Sequence, residues 1–224
     1  MPAFVDPARA ARLTARALLE VGAVRFRADQ PYTLTSGMKS PVYVDVRRLI
    51  SHPRLRAALM ALACDRVMEA AGFERFDAVA GGETAGIPFA AWMADRLGLP
   101  MLYVRKKPKG FGRNARIEGE PREGWRVLLV EDLATDGGSK LSFAEALREA
   151  RMECAHGFVL FHYGAFPEGD ARLAEAGLTL HRLATWRDVL ALAREEARFD
   201  AATLDAVAAF LDAPREWSSL HGGA

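Results

Sequence analysis

From about residue 73 onward, the chain alternates short apolar runs with stretches of helical periodicity. Each run is followed by a turn that contains glycine and then by a helical stretch, which is typical of βαβ units. The runs are almost continuously hydrophobic, as parallel strands covered on both faces of a sheet require. The predicted strands are residues 76–80, 101–104, 127–130, 157–161 and 178–183. The pattern predicts an α/β fold with a mostly parallel central sheet flanked by helices.

Two helices and an extended segment precede this sheet. Apolar residues at helical spacing predict an opening helix that packs through one stripe. The stripe consists of Leu13, Ala17, Leu18 and Val21. Residues 32–45 contain turn residues and alternating valines, which predicts an extended segment. A second helix is expected to follow Pro53 and to end near Gly72.

The chain after residue 186 is mostly helical in pattern. Its apolar positions at helical spacing predict packing against the rest of the molecule. These positions are Val189, Leu190, Leu192, Leu204, Val207, Phe210 and Leu211. With 224 residues, one domain over 1–224 is the expected plan. We expect an N-terminal region of about 1–60, a sheet core of about 73–185 and a helical cap of about 186–224.

Composition narrows the possible functions. The chain has 30 basic and 29 acidic residues, and this balance argues against a protein whose whole surface binds polyanions. Cys64 and Cys154 lie far apart in the sequence, so neither a disulfide framework nor a zinc site is indicated. No apolar run approaches the roughly 20 residues that cross a bilayer, and the N-terminus lacks a signal-peptide core. We therefore expect a cytoplasmic protein without a membrane partner.

Lysine is scarce and unevenly placed. Of the 30 basic residues, 25 are arginine and 5 are lysine. Lys106, Lys107 and Lys109 fall within four consecutive positions, and Lys39 and Lys140 lie in segments with glycine and serine. Compact ammonium groups bind differently from planar guanidinium groups, so the clustering favours a site that uses lysine, with chance as the alternative.

A strand, two acids and a loop of small residues that opens a helix occupy residues 127–150. The loop residues are Thr135, Asp136, Gly137, Gly138 and Ser139. Unpaired N–H groups and the helix dipole favour a phosphate monoester there, and both glycines allow close approach and a positive φ. Glu131 and Asp132, at the end of the strand, could accept hydrogen bonds from vicinal hydroxyls. The pattern indicates a ribose 5-phosphate site, with an ordinary strand-to-helix turn as the alternative.

Residues 103–119 are dense in arginine, lysine and glycine and have no apolar periodicity. This segment is predicted to form neither helix nor strand and to be mobile. If the ligand has a pyrophosphate leaving group, Arg105, Lys106 and Lys109 would neutralise the charge that develops on it, and Lys109 could donate a proton to it. A solvated loop and a basic patch for nucleic acid remain open as alternatives.

Two further features carry less weight. The turn after the first predicted sheet strand contains Gly81, Gly82 and Gly86, whose backbone amides could hold a diphosphate. The histidines show no metal-binding spacing, so no metal site on the protein is predicted. They are His52, His156, His162, His181 and His221.

The acid pair and the Thr-x-Gly-Gly-Ser loop resemble the phosphoribosyl pyrophosphate signature of type I phosphoribosyltransferases. Together with YTLTSGMKSPVYVDVRRLIS (32–51), GIPFAAWMADRLGLP (86–100) and RKKPKGFG (105–112), they make the chain similar to the orotate phosphoribosyltransferase family over about residues 32–150. The resemblance implies the type I phosphoribosyltransferase fold with a small N-terminal hood. It also implies phosphoribosyl transfer from phosphoribosyl pyrophosphate to orotate, Mg²⁺ carried mainly by the diphosphate, and a homodimer whose basic loop is shared across subunits.

The resemblance also assigns roles to individual residues. The catalytic residues would be Lys109, Glu131 and Asp132. Phosphoribosyl pyrophosphate would contact Arg105, Lys106, Lys109, Glu131, Asp132, Thr135, Asp136, Gly137, Gly138 and Ser139. Orotate would contact Lys39, Tyr43, Val44 and Thr135.

Three positions depart from the pattern of the family. Phe111 stands where many relatives carry a loop histidine, and Thr35 stands where some place a lysine near the reacting centre. Tyr163 stands approximately where some members hold orotate with an arginine. These departures leave the contact with the orotate carboxylate open, so a purine base stays an alternative acceptor. The other alternative is a regulator of the same fold that binds nucleic acid through residues 105–109.

Overall fold

The computed structural model describes residues 4–34, 36–110 and 116–223. The helices are α1 (Pro7–Glu20), α2 (Pro53–Ala71), α3 (Gly86–Leu97), α4 (Gly138–Glu149), α5 (Pro167–Glu175), α6 (Trp186–Glu195), α7 (Ala201–Asp212) and α8 (Pro214–Leu220), and a 3₁₀ helix spans Val46–Ser51. The strands are β1 (Val24–Phe26), β2 (Tyr32–Thr33), β3 (Lys39–Ser40), β4 (Val42–Val44), β5 (Ala78–Gly82), β6 (Met101–Val104), β7 (Ile117–Glu118), β8 (Arg126–Ala134), β9 (Glu153–His162) and β10 (Thr179–Thr185). None of the described helices is long and apolar enough to cross a membrane.

The central sheet has the strand order β10-β9-β8-β5-β6-β7. Neighbouring strands from β10 to β6 pair in parallel, and β7 pairs antiparallel with β6 at the edge. Two clusters of buried apolar side chains cover the sheet, one on each face. The prediction of an α/β fold with a mostly parallel sheet flanked by helices is confirmed.

Alternation along β8 determines which way its acids point. Leu129 packs with Phe143 of α4 in one apolar cluster, whereas Leu128 belongs to the cluster on the opposite face. Successive side chains of a strand point to opposite faces of the sheet. The Glu131 side chain therefore points to the same face as Leu129, toward α4, and the Asp132 side chain points to the opposite face.

Helix α1 begins after Asp6, whose carboxylate accepts a hydrogen bond from the Arg9 N–H at 3.0 Å. Pro7 occupies the first helical position, where its missing N–H costs no hydrogen bond. The buried face consists of Ala10, Thr14, Ala15, Ala17 and Leu18. Leu13 is 42% exposed, so its predicted place in the packing stripe is wrong. At roughly 100° per residue, Leu13 lies beyond the edge of the buried face.

The segment between α1 and α2 is extended, as predicted, and forms two small antiparallel sheets. Strand β1 pairs with β4, and β2 pairs with β3. The second helix also follows the prediction, since α2 begins at Pro53. It ends at Gly72, whose φ of 105° suits glycine at a helix C-terminus.

The C-terminal helices pack back onto the N-terminal ones. All the apolar positions predicted after residue 186 are buried, and they share one cluster with side chains of α1 and α2. Arg16 Nη2 lies 2.7 Å from Glu196 Oε1, which links α1 to the end of α6. Helix α6 begins with a capping box, in which the Thr185 N–H donates to Asp188 Oδ2 at 2.7 Å. The division of the domain into three regions stays a prediction.

The basic segment is less irregular than predicted. Its ends form strand pairs, because Tyr103 and Val104 of β6 pair with β7. The Arg105 N–H also donates to the Arg116 carbonyl at 2.7 Å. Residues 103–104 belong to the strand predicted at 101–104, but the prediction that the rest of the segment contains no strand is wrong at β7. Backbone hydrogen bonds between the two ends of the segment need no apolar periodicity. Phe111 lies outside the described residues.

Candidate active site

Three loops meet at one edge of the sheet. Strands β8, β5 and β6 are parallel neighbours, so their carboxyl ends lie side by side. The turn between β5 and α3, the basic segment that follows β6 and the acid pair with its loop on β8 therefore converge. Gly81 and Gly82, which were predicted to lie in that turn, belong to β5 instead, because their backbones still pair with β6, and Gly86 is the first residue of α3. Ligands of open parallel sheets bind at such an edge.

The loop between β8 and α4, residues 135–139, forms the start of a helix. Gly137 is the N-cap residue of α4 and has a φ of 80°, as predicted for a glycine in this loop. Gly138 does not have a positive φ, so that part of the prediction is wrong, because Gly138 is already the first helical residue. The Gly138 N–H donates to Asp136 Oδ1 at 3.3 Å, a long bond that a stronger anionic acceptor would replace. The loop therefore places backbone N–H groups at a helix N-terminus, where an anion is favoured, and its predicted binding of a phosphate stays a prediction.

Helix α5 supports this loop from behind, which the sequence did not indicate. A Cβ atom on Gly169 would lie 2.8 Å from the Asp136 carbonyl oxygen, and one on Gly137 would lie 2.9 Å from Leu173 Cγ. Arg172 Nη2 donates to the same Asp136 carbonyl at 3.1 Å. The close packing fixes the position of the loop backbone relative to the sheet.

Glu131 is turned toward α4 and is largely buried, at 7% exposure. Its Oε2 atom lies 3.4 Å from Lys140 Nζ, in an ion pair that is buried on both sides. Its Oε1 atom is buried and has no hydrogen-bond partner among the described residues. Burial raises the pKa of Glu131 to about 7, and the positive charge of Lys140 partly offsets this effect.

Asp132 faces the other side of the sheet and is half-buried. Burial raises the pKa of Asp132, and the charges of Lys140 and Arg47 act in the opposite direction. Arg47 lies in the 3₁₀ helix, which contacts β8, and its Nε atom donates to Asp45 Oδ1 at 2.9 Å. Neither Arg47 nor Lys140 was predicted as a site residue. For Arg47, the available signal in the sequence was its spacing from Asp45 in the Asp-Val-Arg segment. For Lys140, it was the rarity of lysine in this chain.

The described part of the basic segment lies next to the turn between β5 and α3, residues 83–85. Arg105 Nη1 lies 3.3 Å from Glu118 Oε1 across the β6–β7 pair, which holds the guanidinium at the sheet edge. The Lys106 N–H donates to Glu83 Oε2 at 2.7 Å, which joins this segment to the turn after β5. Lys106 and Lys109 are exposed. Their ammonium groups are therefore accessible to an anion.

Of the four residues predicted to contact orotate, Lys39, Tyr43 and Val44 belong to the N-terminal strand pairs, and Thr135 lies in the loop after β8. The rings of Tyr43 and Tyr32 pack at a centroid distance of 5.4 Å, and Val44 is buried. Lys39 Nζ donates to Thr33 Oγ1 at 2.8 Å within the β2–β3 hairpin. Thr35 lies outside the described residues. These contacts hold the hairpin together, and the predicted contacts with orotate stay predictions.

Tyr163 is buried and cannot replace an arginine electrostatically. Its ring packs against Trp186 at 5.7 Å and Phe166 at 6.4 Å. Burial raises the pKa of the Tyr163 phenol to about 12, so the side chain stays neutral at physiological pH. Any contact between a base carboxylate and Tyr163 would lack a positive charge.

Three of the histidines pair with other side chains. His156 Nδ1 lies 3.0 Å from His181 Nε2, and His162 Nε2 lies 3.1 Å from Asp170 Oδ1. In residues 4–34, 36–110 and 116–223, no group of three or more histidine, cysteine or acidic side chains could hold a metal ion.

Comparisons with known proteins agree with this geometry. A family model described as a phosphoribosyl transferase domain matches residues 45–173. An orotate phosphoribosyltransferase from Cereibacter sphaeroides is 63% identical over 211 residues, which cover 94% of this chain and 91% of that protein. The chain belongs to the orotate phosphoribosyltransferase family.

Solved structures of orotate phosphoribosyltransferases share the fold. The crystal structure of the Aeropyrum pernix protein matches with a TM-score of 0.67 and 33% identity, over 83% of this chain and 99% of that one. The Mycobacterium tuberculosis protein, in complex with phosphoribosyl pyrophosphate, matches with a TM-score of 0.59 and 25% identity, over 82% of this chain and 98% of that one. The predicted family and the predicted type I phosphoribosyltransferase fold are confirmed. The roles of individual residues in this family member stay predictions.

Proposed function

We propose that this family member transfers the 5-phosphoribosyl group from phosphoribosyl pyrophosphate to orotate. The products are orotidine 5′-phosphate and pyrophosphate, and the reaction belongs to the de novo synthesis of UMP in the cytoplasm. The observation that carries the proposal is the arrangement on β8, where an acid pair is followed directly by a loop at the N-terminus of α4. The 63% identity to a named orotate phosphoribosyltransferase supports the choice of acceptor.

The loop at residues 135–139, here called the phosphate loop, and the acid pair of Glu131 and Asp132 would hold the sugar. The 5′-phosphate accepts hydrogen bonds from the backbone of residues 135–139 and from the hydroxyls of Thr135 and Ser139. The ribose hydroxyls donate to Asp132, whose half-buried carboxylate stands at the sheet edge, and to Glu131 Oε2, which Lys140 leaves with a further lone pair. Two anchors on opposite sides of the ribose fix the orientation of its anomeric carbon.

The basic segment would stabilise the leaving group. The bond between the anomeric carbon and the pyrophosphate oxygen breaks first, and its electron pair leaves with the pyrophosphate. The orotate ring nitrogen then forms the new bond to carbon with the electron pair of its N–H bond, and the released proton balances the one that Lys109 gives to the pyrophosphate. Arg105, Lys106 and Lys109 neutralise charge on the departing oxygens, and Lys109 donates a proton to them. Closure of this segment excludes water that would hydrolyse the donor.

Mg²⁺ would enter with the substrate. This ion prefers phosphate oxygens and water to an all-protein cage, and when bound it supplies positive charge to the diphosphate. The residues described at this edge of the sheet fit that arrangement, because Glu131 is engaged by Lys140 rather than grouped with other carboxylates. No side chain is therefore assigned as a direct ligand of Mg²⁺.

A homodimer with shared active sites is part of the proposal. If the basic segment of one subunit completes the site of its partner, then two variants inactive for different reasons should complement each other. Mixing Lys109→Ala protein with Asp132→Asn protein should give hybrid dimers with one intact site, and about a quarter of wild-type activity at equal amounts. Activity no higher than the sum of the two separate variants would contradict shared sites.

The acceptor can be tested directly. Purified protein with phosphoribosyl pyrophosphate and Mg²⁺ should consume orotate, followed by loss of orotate absorbance, and should leave adenine and hypoxanthine unchanged. The neutral, buried Tyr163 keeps a purine acceptor open as the second candidate. Turnover of a purine base without turnover of orotate would overturn the proposal. Steeply salt-dependent binding of RNA or DNA without turnover would instead favour a regulator.

A further inference from the structure

Lys140 occupies an unfavourable position for a lysine. It lies in the first turn of α4 and is only 6% exposed. Burial removes water from its charge, and the dipole of the helix is positive at this end. Buried lysines are almost always paired. The position of Lys140 therefore requires specific partners.

Three acceptors surround the ammonium group of Lys140. Its Nζ atom lies 3.4 Å from Glu131 Oε2 and 3.1 Å from Ser139 Oγ, and it also donates to the Leu133 carbonyl oxygen. An ammonium group has three N–H donors and no acceptor, so this set uses all of them. Lys140 thus links the acid pair, the end of β8 and the phosphate loop.

The contact with Ser139 fixes the direction of a hydroxyl group. Because Lys140 can only donate, Ser139 Oγ is the acceptor of that bond, and the Ser139 O–H must point to another acceptor. Ser139 is exposed on the loop at the N-terminus of α4. Its hydroxyl hydrogen is therefore available to a phosphate oxygen at that site.

The contact with Glu131 fixes a carboxylate. A Cβ atom on Gly82 would lie 2.4 Å from Glu131 Oε1, and one on Gly86 would lie 2.6 Å from it. This oxygen is therefore enclosed by backbone, and Lys140 holds the other. The charged groups that act on Glu131 are Lys140 from α4, Asp132 from β8 and Lys106 from the basic segment.

We propose that Lys140 is a positioning residue that orients the Ser139 hydroxyl and holds the Glu131 carboxylate, so that the ribose 5-phosphate site is formed before substrate binds. The inference rests on the proposed function, because it assigns a sugar phosphate to this edge of the sheet. Lys140 itself does not touch the substrate.

The test compares Lys140→Met with Glu145→Gln, a control that removes an exposed charge from the same helix. Ribose 5-phosphate is titrated into each protein by calorimetry, and the KM values for phosphoribosyl pyrophosphate and orotate are measured separately. Lys140→Met should weaken ribose 5-phosphate binding about tenfold, because misdirected hydrogen bonds each cost up to about one order of magnitude. It should raise the KM for phosphoribosyl pyrophosphate and leave the KM for orotate within about twofold.

Binding of ribose 5-phosphate by Lys140→Met within twofold of wild type would overturn the inference. An equal rise in both KM values would also overturn it, because a general loss of structure affects both substrates. Failure of the proposed function is a separate result, since wild-type protein would then leave orotate unconsumed.

A second comparison applies where Lys140→Met alone does not fold. The double variant Lys140→Met/Glu131→Gln removes both charges of the buried ion pair, so no charge is left buried without a partner. It should bind ribose 5-phosphate about tenfold more weakly than Glu131→Gln alone, since the Ser139 hydroxyl is no longer directed. Equal affinities in these two proteins would overturn the inference.

Discussion

The Asp77 carboxylate holds Arg126 through three hydrogen bonds. Arg126 donates to Asp77 from Nε at 2.9 Å, from Nη2 at 2.8 Å and from its backbone N–H at 2.8 Å. Asp77 immediately precedes β5, and Arg126 is the first residue of β8. The pair therefore joins two adjacent central strands at their N-terminal ends, far along the strands from the proposed active site.

This pair should make stability depend on pH in the acidic range. Hydrogen bonds from Arg126 lower the pKa of Asp77 to about 2, from an ordinary value of 3.8. A lowered pKa stabilises the folded state above pH 3.8, and this contribution is lost as the pH falls toward 2. Asp77→Asn should therefore lower the melting temperature at pH 7, with a smaller difference from wild type at pH 3. Asp95→Asn, an exposed acid on α3, is the control, and an equal difference at both pH values would contradict the prediction.

Glu131 should make the stability of the fold depend on pH in the opposite direction, at higher pH. Its pKa is raised from 4.5 to about 7, mainly by burial. The folded state therefore binds a proton more strongly than the unfolded state, and stability falls as the pH rises from 4.5 through 7. Melting temperatures of wild type should decrease between pH 5 and pH 8 more than those of Glu131→Gln. Parallel profiles for the two proteins would show that Glu131 does not titrate in this range.

The two loop glycines should differ in their tolerance of alanine. Gly137 has a φ of 80° and little room beside Leu173, whereas a Cβ on Gly138 would meet no atom closer than 3.8 Å. Gly137→Ala should lower the free energy of unfolding by about 1–2 kcal/mol, the cost of a left-handed non-glycine residue. Gly138→Ala should change it by less than about 0.5 kcal/mol. Urea unfolding measures both values, and equal losses would contradict the assigned backbone geometry.

Lys109 should affect chemistry and not folding. It is exposed, and its ammonium group is proposed to protonate the leaving pyrophosphate. Lys109→Ala should lower kcat by at least about 100-fold, while the melting temperature stays unchanged. Lys107→Ala removes the same charge two residues away and should have a much smaller effect. Unchanged turnover in Lys109→Ala would refute the leaving-group role.

The fold was predictable where apolar runs are uninterrupted. The strand at 101–104 matches β6 in both bounds, because its hydrophobic run and its hydrogen-bonded run coincide. The strand at 127–130 was predicted too short, since β8 continues through Glu131 and Asp132 while its backbone still pairs with β9. Strand β7 was missed because two residues at the end of a basic segment carry no periodicity. Polar strand ends depend on backbone pairing, which the side-chain pattern does not encode.

The proposed active site could be outlined from the sequence in its residue types but not in its supporting contacts. Local motifs indicated the acid pair and the loop at residues 135–139, because strand, acids and loop are contiguous in the sequence, and the roles of these residues stay predictions. The contacts that support them come from distant segments, such as Arg172 behind the loop, 36 residues away, and Arg47 near Asp132. Lys140 is adjacent to the loop, but its burial depends on tertiary packing. Such contacts follow from the topology and cannot be derived from spacing alone.

The shared apolar cluster of α1 and α2 with the C-terminal helices has a consequence for synthesis on the ribosome. Helix α1 leaves the ribosome before the residues of β10 and α6 that cover its buried face have been made. At translation rates of about 5–20 residues per second, the opening helix waits roughly 10 to 30 s for its partners. Folding of the N-terminal third can therefore be completed only when almost the whole chain has been translated.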